Sequence, residues 1–315
     1  MREQLILVTG ASGFVGHAIC QGLAGSYRIR AAVRNLAKVR RDEGIEYVEG
    51  RLDQGFDWTQ NLAGVDVVIH CAGVAHIAKG QPDFSIDAFD KINVQGTAAL
   101  ARQAVSAGVK RFVFISSIGV NGEKTERGKP FHELLVPQPV SIYAKSKLAA
   151  EKELQLLTQA AGLEIVIIRP PMVYGANAPG NFRLLRSVLE RGWPLPFGAI
   201  RNLRSFVGID NLVDFVRACV CNPKAANETF VVSDGQDLST TELLNLMRSN
   251  LKSRSLNLPV PERLLRVCAR LARKEAAMTS LCADLQVDIS KARHVLNWAP
   301  ISPPDIGIAK ALLER

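Results

Sequence analysis

Leu5-Ile6-Leu7-Val8-Thr9-Gly10-Ala11-Ser12-Gly13-Phe14-Val15-Gly16 opens the chain and decides how the rest is read. The unbroken apolar run 5–8 is the pattern of a strand buried on both faces. Three glycines spaced G-x-x-G-x-x-G follow, and residues 14–23 then carry helical apolar spacing without an internal proline. Strand, glycine turn and helix together form the context in which a glycine motif signals dinucleotide binding. Gly10 can adopt the dihedrals of a tight turn, Gly13 lets backbone approach a pyrophosphate, and Gly16 allows close packing of helix on strand. The free N–H groups and dipole of the helix start favour phosphate. The plainer alternative is an ordinary strand-to-helix turn that uses glycine for packing alone.

Working outward, residues 27–34 read as a second strand ending in Arg34. An acidic residue about 20 residues past the glycines usually holds the ribose hydroxyls of NAD. Arg34 occupies that place, where a guanidinium would pair with a 2′-phosphate. The pattern favours NADP(H), with NAD(H) as the alternative; a plain surface arginine is the structural reading of the same residue. Residues 45–48 read as strand three, followed by Leu52 and Asp53, whose carboxylate could accept from an adenine amino group. Residues 65–69 read as strand four, running into His70-Cys71-Ala72-Gly73, where small residues let a cofactor lie against the backbone. A long helical pattern spans 89–107, strand five is 111–115 ending in Ser116-Ser117, and strand six is 164–168, stopped by Arg169-Pro170-Pro171. This alternation predicts an α/β fold, a doubly wound parallel sheet with helices on both faces. Beyond residue 171 prolines and glycines become frequent, and a second, smaller α/β domain is expected over 171–315 after a nucleotide-binding domain over 1–170. Segments 206–221 and 228–250 are expected to return to the first domain, and Ser239 with Glu242 forms a capping box at a helix start.

At 315 residues, 47% hydrophobic and 22% charged, the composition is that of a soluble globular protein. No apolar run reaches membrane-spanning length and no signal-peptide pattern precedes strand one, so no stable membrane insertion and a cytoplasmic location are expected. The net charge of +9 suits anionic ligands. Without basic runs interleaved with aromatics, nucleic acid is not expected as a partner. The six cysteines form no CxxC pair and the five histidines show no ligand spacing, so no metal is expected and the thiols read as reduced and mostly buried. Residues 262–274 make a basic amphipathic helix, readable as a domain helix with a solvated charged face or as one that touches a membrane surface.

The chemistry centres on Tyr143-Ala144-Lys145-Ser146-Lys147, which opens a helix over 143–161. Tyr143 and Lys147 lie one helical turn apart on one side. An ammonium beside a phenol is expected to lower its pKa, so that the tyrosine exchanges a proton with an alcohol or sugar oxygen. Ser117, at the end of strand five, could hydrogen-bond that oxygen.

These residues, with TGASGFVG, HCAG, NVQGT, FISSIGVNG, IIRPPMVYG, RSFVGIDN and LNWAP, resemble the extended short-chain dehydrogenases/reductases of the NAD-dependent epimerase/dehydratase family, UDP-glucose 4-epimerase-like, across essentially the whole chain. The resemblance implies a Rossmann-type nucleotide domain, a C-terminal substrate-binding domain, a UDP-sugar substrate and a homodimer. It implies Ser117, Tyr143 and Lys147 as the catalytic triad, which Asn93 supports on the lysine side. Cofactor contacts would come from Gly10, Ser12, Gly13, Phe14, Val15, Gly16, Arg34, Leu52, Asp53, Ala72, Gly73, Asn93, Tyr143, Lys147 and Pro170. Substrate contacts would come from Ser117 and Tyr143 at the reacting sugar oxygen, from Asn181 and Arg204 at the diphosphate, and from Asp288 near the ribose. Ile118 and Gly119 stand where sugar 4,6-dehydratases carry an acidic pair, which argues against dehydration. The expected activity is NADPH-dependent 4-ketoreduction of a UDP-4-keto-6-deoxy-N-acetylhexosamine for bacterial surface polysaccharide (O-antigen, lipopolysaccharide). The alternative is a UDP-hexose or UDP-N-acetylhexosamine 4-epimerase with tightly bound NAD.

Overall fold

A computed structural model describes residues 3–53, 55–75, 86–272 and 275–313. Its strands are β1 (Leu5–Thr9), β2 (Arg28–Val33), β3 (Ile45–Glu49), β4 (Val67–His70), β5 (Arg111–Ile115), β6 (Glu164–Arg169), β7 (Met172–Tyr174), β8 (Phe206–Gly208) and β9 (Thr229–Val231). The helices are α1 (Phe14–Leu23), α2 (Thr59–Leu62), α3 (Ile86–Phe89), α4 (Thr97–Ser106), α5 (Ile142–Ala161) and α6 (Asn181–Glu190). The later ones are α7 (Ile209–Cys221), α8 (Thr240–Asn250), α9 (Glu262–Leu271), α10 (Glu275–Cys282), α11 (Ser290–Leu296) and α12 (Pro304–Leu313).

Seven strands form one parallel sheet in the order β3-β2-β1-β4-β5-β6-β9. The chain builds outward from β1 to β3 and then returns to place β4 on the other side of β1. A crevice opens at such a reversal, beyond the carboxyl ends of the strands. All five β1 residues are buried because the strand is covered twice. Ile6 and Val8 pack with the α1 and α7 side chains Ile19, Leu23, Leu212 and Val216. Leu5 and Leu7 pack on the opposite face with Leu100, Ala104 and Leu154 of α4 and α5.

The expected doubly wound α/β sheet is present, and two details differ from the sequence reading. Strand four runs Val67–His70 rather than 65–69, because the buried His70 ring joins β1 and α4: its Nδ1 lies 2.7 Å from Thr9 Oγ1 and its Nε2 lies 2.9 Å from Thr97 Oγ1. The helical pattern expected over 89–107 is not uniform. Between α3 and α4 it widens into a π-helical stretch, Asp90–Gly96. Such widened turns change which side chains share a face.

Of the later segments, β9 pairs with β6, and α7 packs on α1 beneath the sheet. Strands β7 and β8 pair in parallel with each other in a separate two-stranded sheet. Helix α8 starts at the capping box of Ser239 and Glu242 and packs on α6 and α12. Helix α9 ends at Leu271, so the last two residues of the 262–274 pattern lie outside the described residues.

The glycine turn is as tight as chemistry permits. Gly10 has φ +69°, and a Cβ there would lie 2.7 Å from the Ala72 nitrogen. Gly13 donates its N–H to the Gly10 carbonyl at 2.9 Å. A Cβ on Gly16 would sit 2.3 Å from the same carbonyl oxygen, so the third glycine makes room for the turn itself rather than for the strand. Gly16→Ala should therefore cost about 1–3 kcal/mol, the scale of overpacking. A urea melt of the variant checks this; an unchanged midpoint would show that the turn can give way.

Candidate active site

Four strand ends supply the crevice. The turn after β1 brings Gly10, Ser12 and Gly13, the end of β2 brings Arg34, the stretch after β3 brings Leu52 and Asp53, and the stretch after β4 brings Ala72 and Gly73. These side chains and backbones line one cavity of about 650 Å³. Helix α1 points its first turn there from Gly13, and no side chain caps it. An uncapped helix start leaves N–H donors for an anion. At the exposed end of β2, Asn35 accepts from the Ala37 N–H at 2.9 Å, and Arg34 lines the cavity together with Asp53 and with Arg51, which pairs with Glu49. Several residues of this cavity escaped the sequence reading, Arg51, Trp58 and Gly50 among them. Trp58 and Gly50 touch, a Cβ on Gly50 falling 2.5 Å from the indole, and only this contact in three dimensions reveals them.

A smaller cavity of about 200 Å³ adjoins the first through Cys71 and Gly73, which line both. It holds Ser117, Tyr143, Lys147, Val15 and Pro170. Phe14 faces a different groove, between α1 and α7. Ser117 stands where β5 ends, and its Oγ accepts from the Gly119 N–H at 3.1 Å. Tyr143 lies in the first turn of α5, which Ser141 caps by accepting from the Ala144 N–H at 3.1 Å.

Lys147 is buried, with its Nζ donating to the Ile115 carbonyl at 2.9 Å and lying 4.4 Å from the Phe114 ring centre. Burial pushes its pKa down to about 8, against the opposing pull of Cys71 and Glu151. The Tyr143 phenol is pushed up to about 12 by burial. This reverses the expected lowering. The ammonium is 6.0 Å from the phenol ring centre and turned to the Ile115 carbonyl, so desolvation wins. His70 is held neutral, its pKa brought down to about 3 by burial and then by the Lys147 charge.

Asn93 explains the π-helical stretch. Its Oδ1 accepts from the Val74 N–H at 2.8 Å, and its Nδ2 donates to the Val74 carbonyl at 3.0 Å and to Ser146 Oγ at 2.9 Å. One buried amide thus ties the lip of the large cavity to the helix that carries Lys147. Gly73 is needed beside it, since a Cβ would lie 3.0 Å from Asn93 Oδ1.

A second network was not anticipated. Glu151, one turn beyond Lys147, takes a two-pronged contact from Arg169, with Nε at 3.0 Å and Nη2 at 2.6 Å. Ser116 Oγ donates to Glu151 at 2.5 Å, and Arg169 Nη1 donates to Asn121 Oδ1 at 3.0 Å. Both charges are almost fully buried. The sequence signal was there: an acid on the Lys147 side of α5 and an arginine closing the apolar run 165–168 of β6.

Asn181 and Arg204 meet the same stretch of chain, the end of α10. Asn181 Nδ2 donates to Ser280 Oγ at 3.4 Å, and Arg204 donates to the Ala283 carbonyl at 2.9 Å. Asp288 accepts from the Ser290 N–H at 2.8 Å and from its hydroxyl at 2.5 Å, a local turn. Its own N–H is bound to the Phe131 carbonyl at 2.9 Å.

A buried lysine with a depressed pKa makes stability depend on pH. Between the folded value of about 8 and the ordinary 10.5, the unfolded chain holds a proton that the folded chain lacks, so stability rises with pH there. Tyr143 opposes this above its ordinary value of 10.0, where the unfolded chain loses a proton that the folded one keeps. The thiols of Cys20, Cys71, Cys219 and Cys282, also pushed up by burial, oppose the rise from their ordinary value of 9.0 upward. Denaturant melts should therefore gain stability from about pH 8 to 9, and Lys147→Met should remove most of that gain. An identical slope in the variant would contradict the burial argument.

A family model described as the NAD dependent epimerase/dehydratase family matches residues 6–233. A Vibrio cholerae protein named UDP-glucose 4-epimerase is 40% identical over 298 residues, covering 94% of this chain and 90% of its own. An Escherichia coli O157:H7 protein named N-acetyl-alpha-D-glucosaminyl-diphospho-ditrans,octacis-undecaprenol 4-epimerase is 29% identical, covering 91% and 88%. The fold is similar to that of a Bacillus cereus UDP-glucuronic acid 4-epimerase solved in complex with NAD, with TM-score 0.78 and 22% identity over 98% of this chain and 97% of that one. With the glycine turn and the Ser117, Tyr143 and Lys147 cavity in the places described, the chain belongs to the NAD dependent epimerase/dehydratase family of enzymes.

Proposed function

We propose that the protein is a UDP-sugar 4-epimerase, acting on a UDP-hexose or UDP-N-acetylhexosamine. The observation that carries the reading is the meeting of Ser117, Tyr143 and Lys147 in one small cavity that opens on the larger one through Cys71 and Gly73. The similarity to the protein named UDP-glucose 4-epimerase supports it. The cofactor would lie along the larger cavity, its phosphates at the uncapped start of α1 and its adenosine end near Arg34 and Asp53. Bound there, a nicotinamide dinucleotide supplies hydride transfer. Gly10, Gly13 and Gly16 leave the cradle that such a group needs, since a Cβ at each would approach backbone at 2.7, 3.2 and 2.3 Å. Asn181, Arg204 and Asp288 would face the nucleotide-diphosphate of the substrate, in a region formed by residues 171–315, and the enzyme would work as a cytoplasmic homodimer.

Within this reading, Ser117 hydrogen-bonds the sugar O4 and Tyr143 exchanges a proton with it. A phenol held near pKa 12 is protonated at neutral pH and so carries the proton that O4 would receive, though as a weak acid. Accepting the proton in the opposite half of the cycle requires the Lys147 ammonium to turn from the Ile115 carbonyl toward the phenol. Tyr143→Phe should lower turnover by about 10²–10⁴-fold, the usual worth of a positioned acid–base group, with the dinucleotide still bound. Near-normal turnover would remove Tyr143 from the chemistry.

A second reading, the NADPH-dependent 4-ketoreductase of a UDP-4-keto-6-deoxy-N-acetylhexosamine, is favoured by Arg34 and by the protonated phenol. One experiment separates the two. Purified protein is given UDP-glucose or UDP-N-acetylglucosamine without added reductant, and separately the 4-keto sugar with NADPH. Interconversion of C4 epimers without net cofactor loss establishes the epimerase; stoichiometric NADPH consumption establishes the reductase. Arg34→Asp tests the cofactor reading: the variant should lose affinity for NADP(H) at least tenfold relative to NAD(H), whereas an unchanged ratio would leave Arg34 a surface residue.

A further inference from the structure

Helix α9 has an apolar stripe wider than its own fold uses. Successive residues turn by about 100°, so Leu264, Val267, Cys268 and Leu271 share one side of the helix. Leu265 and Ala269 share the next. Only the second group packs inward, on Met278 and Cys282 of α10 and on Ile200. Leu264 and Val267 are each 54% exposed and Leu271 is 81% exposed. The other flank of the exposed stripe carries Arg263, Arg266 and Arg270, all in solvent. Arg266 pairs with Glu262 and Arg270 with Glu275, exposed pairs that are worth little singly, and Arg263 makes no ion pair among the described residues. The strand-like stretch leading into the helix continues the theme with exposed Leu256 and Leu258, and Ser255 binds the carbonyl of Trp193, whose indole is 56% exposed.

We propose that this face of α9 docks the enzyme on an anionic phospholipid bilayer, with the leucines entering the interface and the arginines meeting the headgroups. A helix with apolar side chains along one side and arginine stems beside them is suited to lie in the plane of a membrane surface. The long arginine side chains can keep their charge at headgroup level while their stems cover apolar surface. Pairing of two copies through the same face is disfavoured by charge, because a twofold contact would bring Arg263 and Arg270 against their own counterparts. It is disfavoured by area as well, since the three exposed aliphatic side chains of α9, even with Leu256, Leu258 and Trp193 beside them, fall short of the about 800 Å² per partner that a stable interface buries. Among the described residues no helix is long and apolar enough to cross a membrane, so docking would be peripheral.

The placement has a consequence for the site. Helix α9 packs on α10, whose Ser280 meets Asn181, and Arg204 binds the Ala283 carbonyl just beyond it. The docking face and the region assigned to the substrate diphosphate are therefore two sides of one helical hairpin.

Vesicle flotation tests the proposal with full-length protein. Vesicles of 70% phosphatidylcholine and 30% phosphatidylglycerol should carry the protein upward at low salt, and pure phosphatidylcholine should carry at least tenfold less. Raising the salt should release it, because the headgroup contacts are screened. Leu264→Glu with Leu271→Glu, both in solvent, should abolish flotation while leaving the thermal unfolding midpoint unchanged. Arg263→Gln with Arg270→Gln, the milder pair, should weaken binding and flatten its salt dependence. Absence of flotation on anionic vesicles overturns the proposal. So does flotation that the leucine variants leave intact, or a dimer seen by light scattering that the same variants dissolve.

Discussion

The ion pair between Arg169 and Glu151 is the contact on which the chemistry rests. It joins the end of β6 to the middle of α5, and through Ser116 and Asn121 it also holds the end of β5 and the short turn beyond it. Ser117, Tyr143 and Lys147 come from those elements. Two charges this deeply buried are costly singly, and removing one of such a pair typically costs about 3–5 kcal/mol. The energy that orders the site is therefore spent one layer behind it, where no ligand has to reach.

A second layer works the same way on the cofactor side. Asn93 and His70 are neutral, buried and fully occupied, the amide by Val74 and Ser146 and the imidazole by Thr9 and Thr97. Each joins a loop end to a helix by groups whose alternative partners are absent in the core. Satisfied polar links of this kind specify one arrangement, because any other leaves a buried donor or acceptor unpaired.

Much of this was legible in the residues and some was not. The apolar run 5–8 and its glycines announced a strand covered twice, and the parallel sheet followed from the alternation of strands and helices. Ser117, Tyr143 and Lys147 were visible because a strand end and a helical turn have regular geometry. The end of strand four escaped by one residue because a histidine looks polar in a sequence, and only Thr9 and Thr97 make it a core residue. The Tyr143 pKa went the other way because spacing along a helix tells nothing of where an ammonium turns. Arg204 and Asp288 enter the sequence reading only as substrate contacts implied by the family resemblance. In the fold Arg204 is held on a carbonyl and Asp288 on Ser290, contacts set by chain more than 70 residues distant in one case and local in the other.

The path of the chain after β6 carries a mechanical consequence. One packed cluster lies beneath the large sheet, and another gathers Tyr174, Phe182, Leu243 and Leu312. The backbone passes between the sheet side and the smaller helical clusters at β7, at β8, after β9, before Leu285 and after Trp298, which makes five crossings. A body joined by a single strand can swing on it like a door. Five connections resist bending about any one axis, which favours sliding of packed surfaces over hinging. Access for a large ligand then falls to the loops and helical hairpins at the rim.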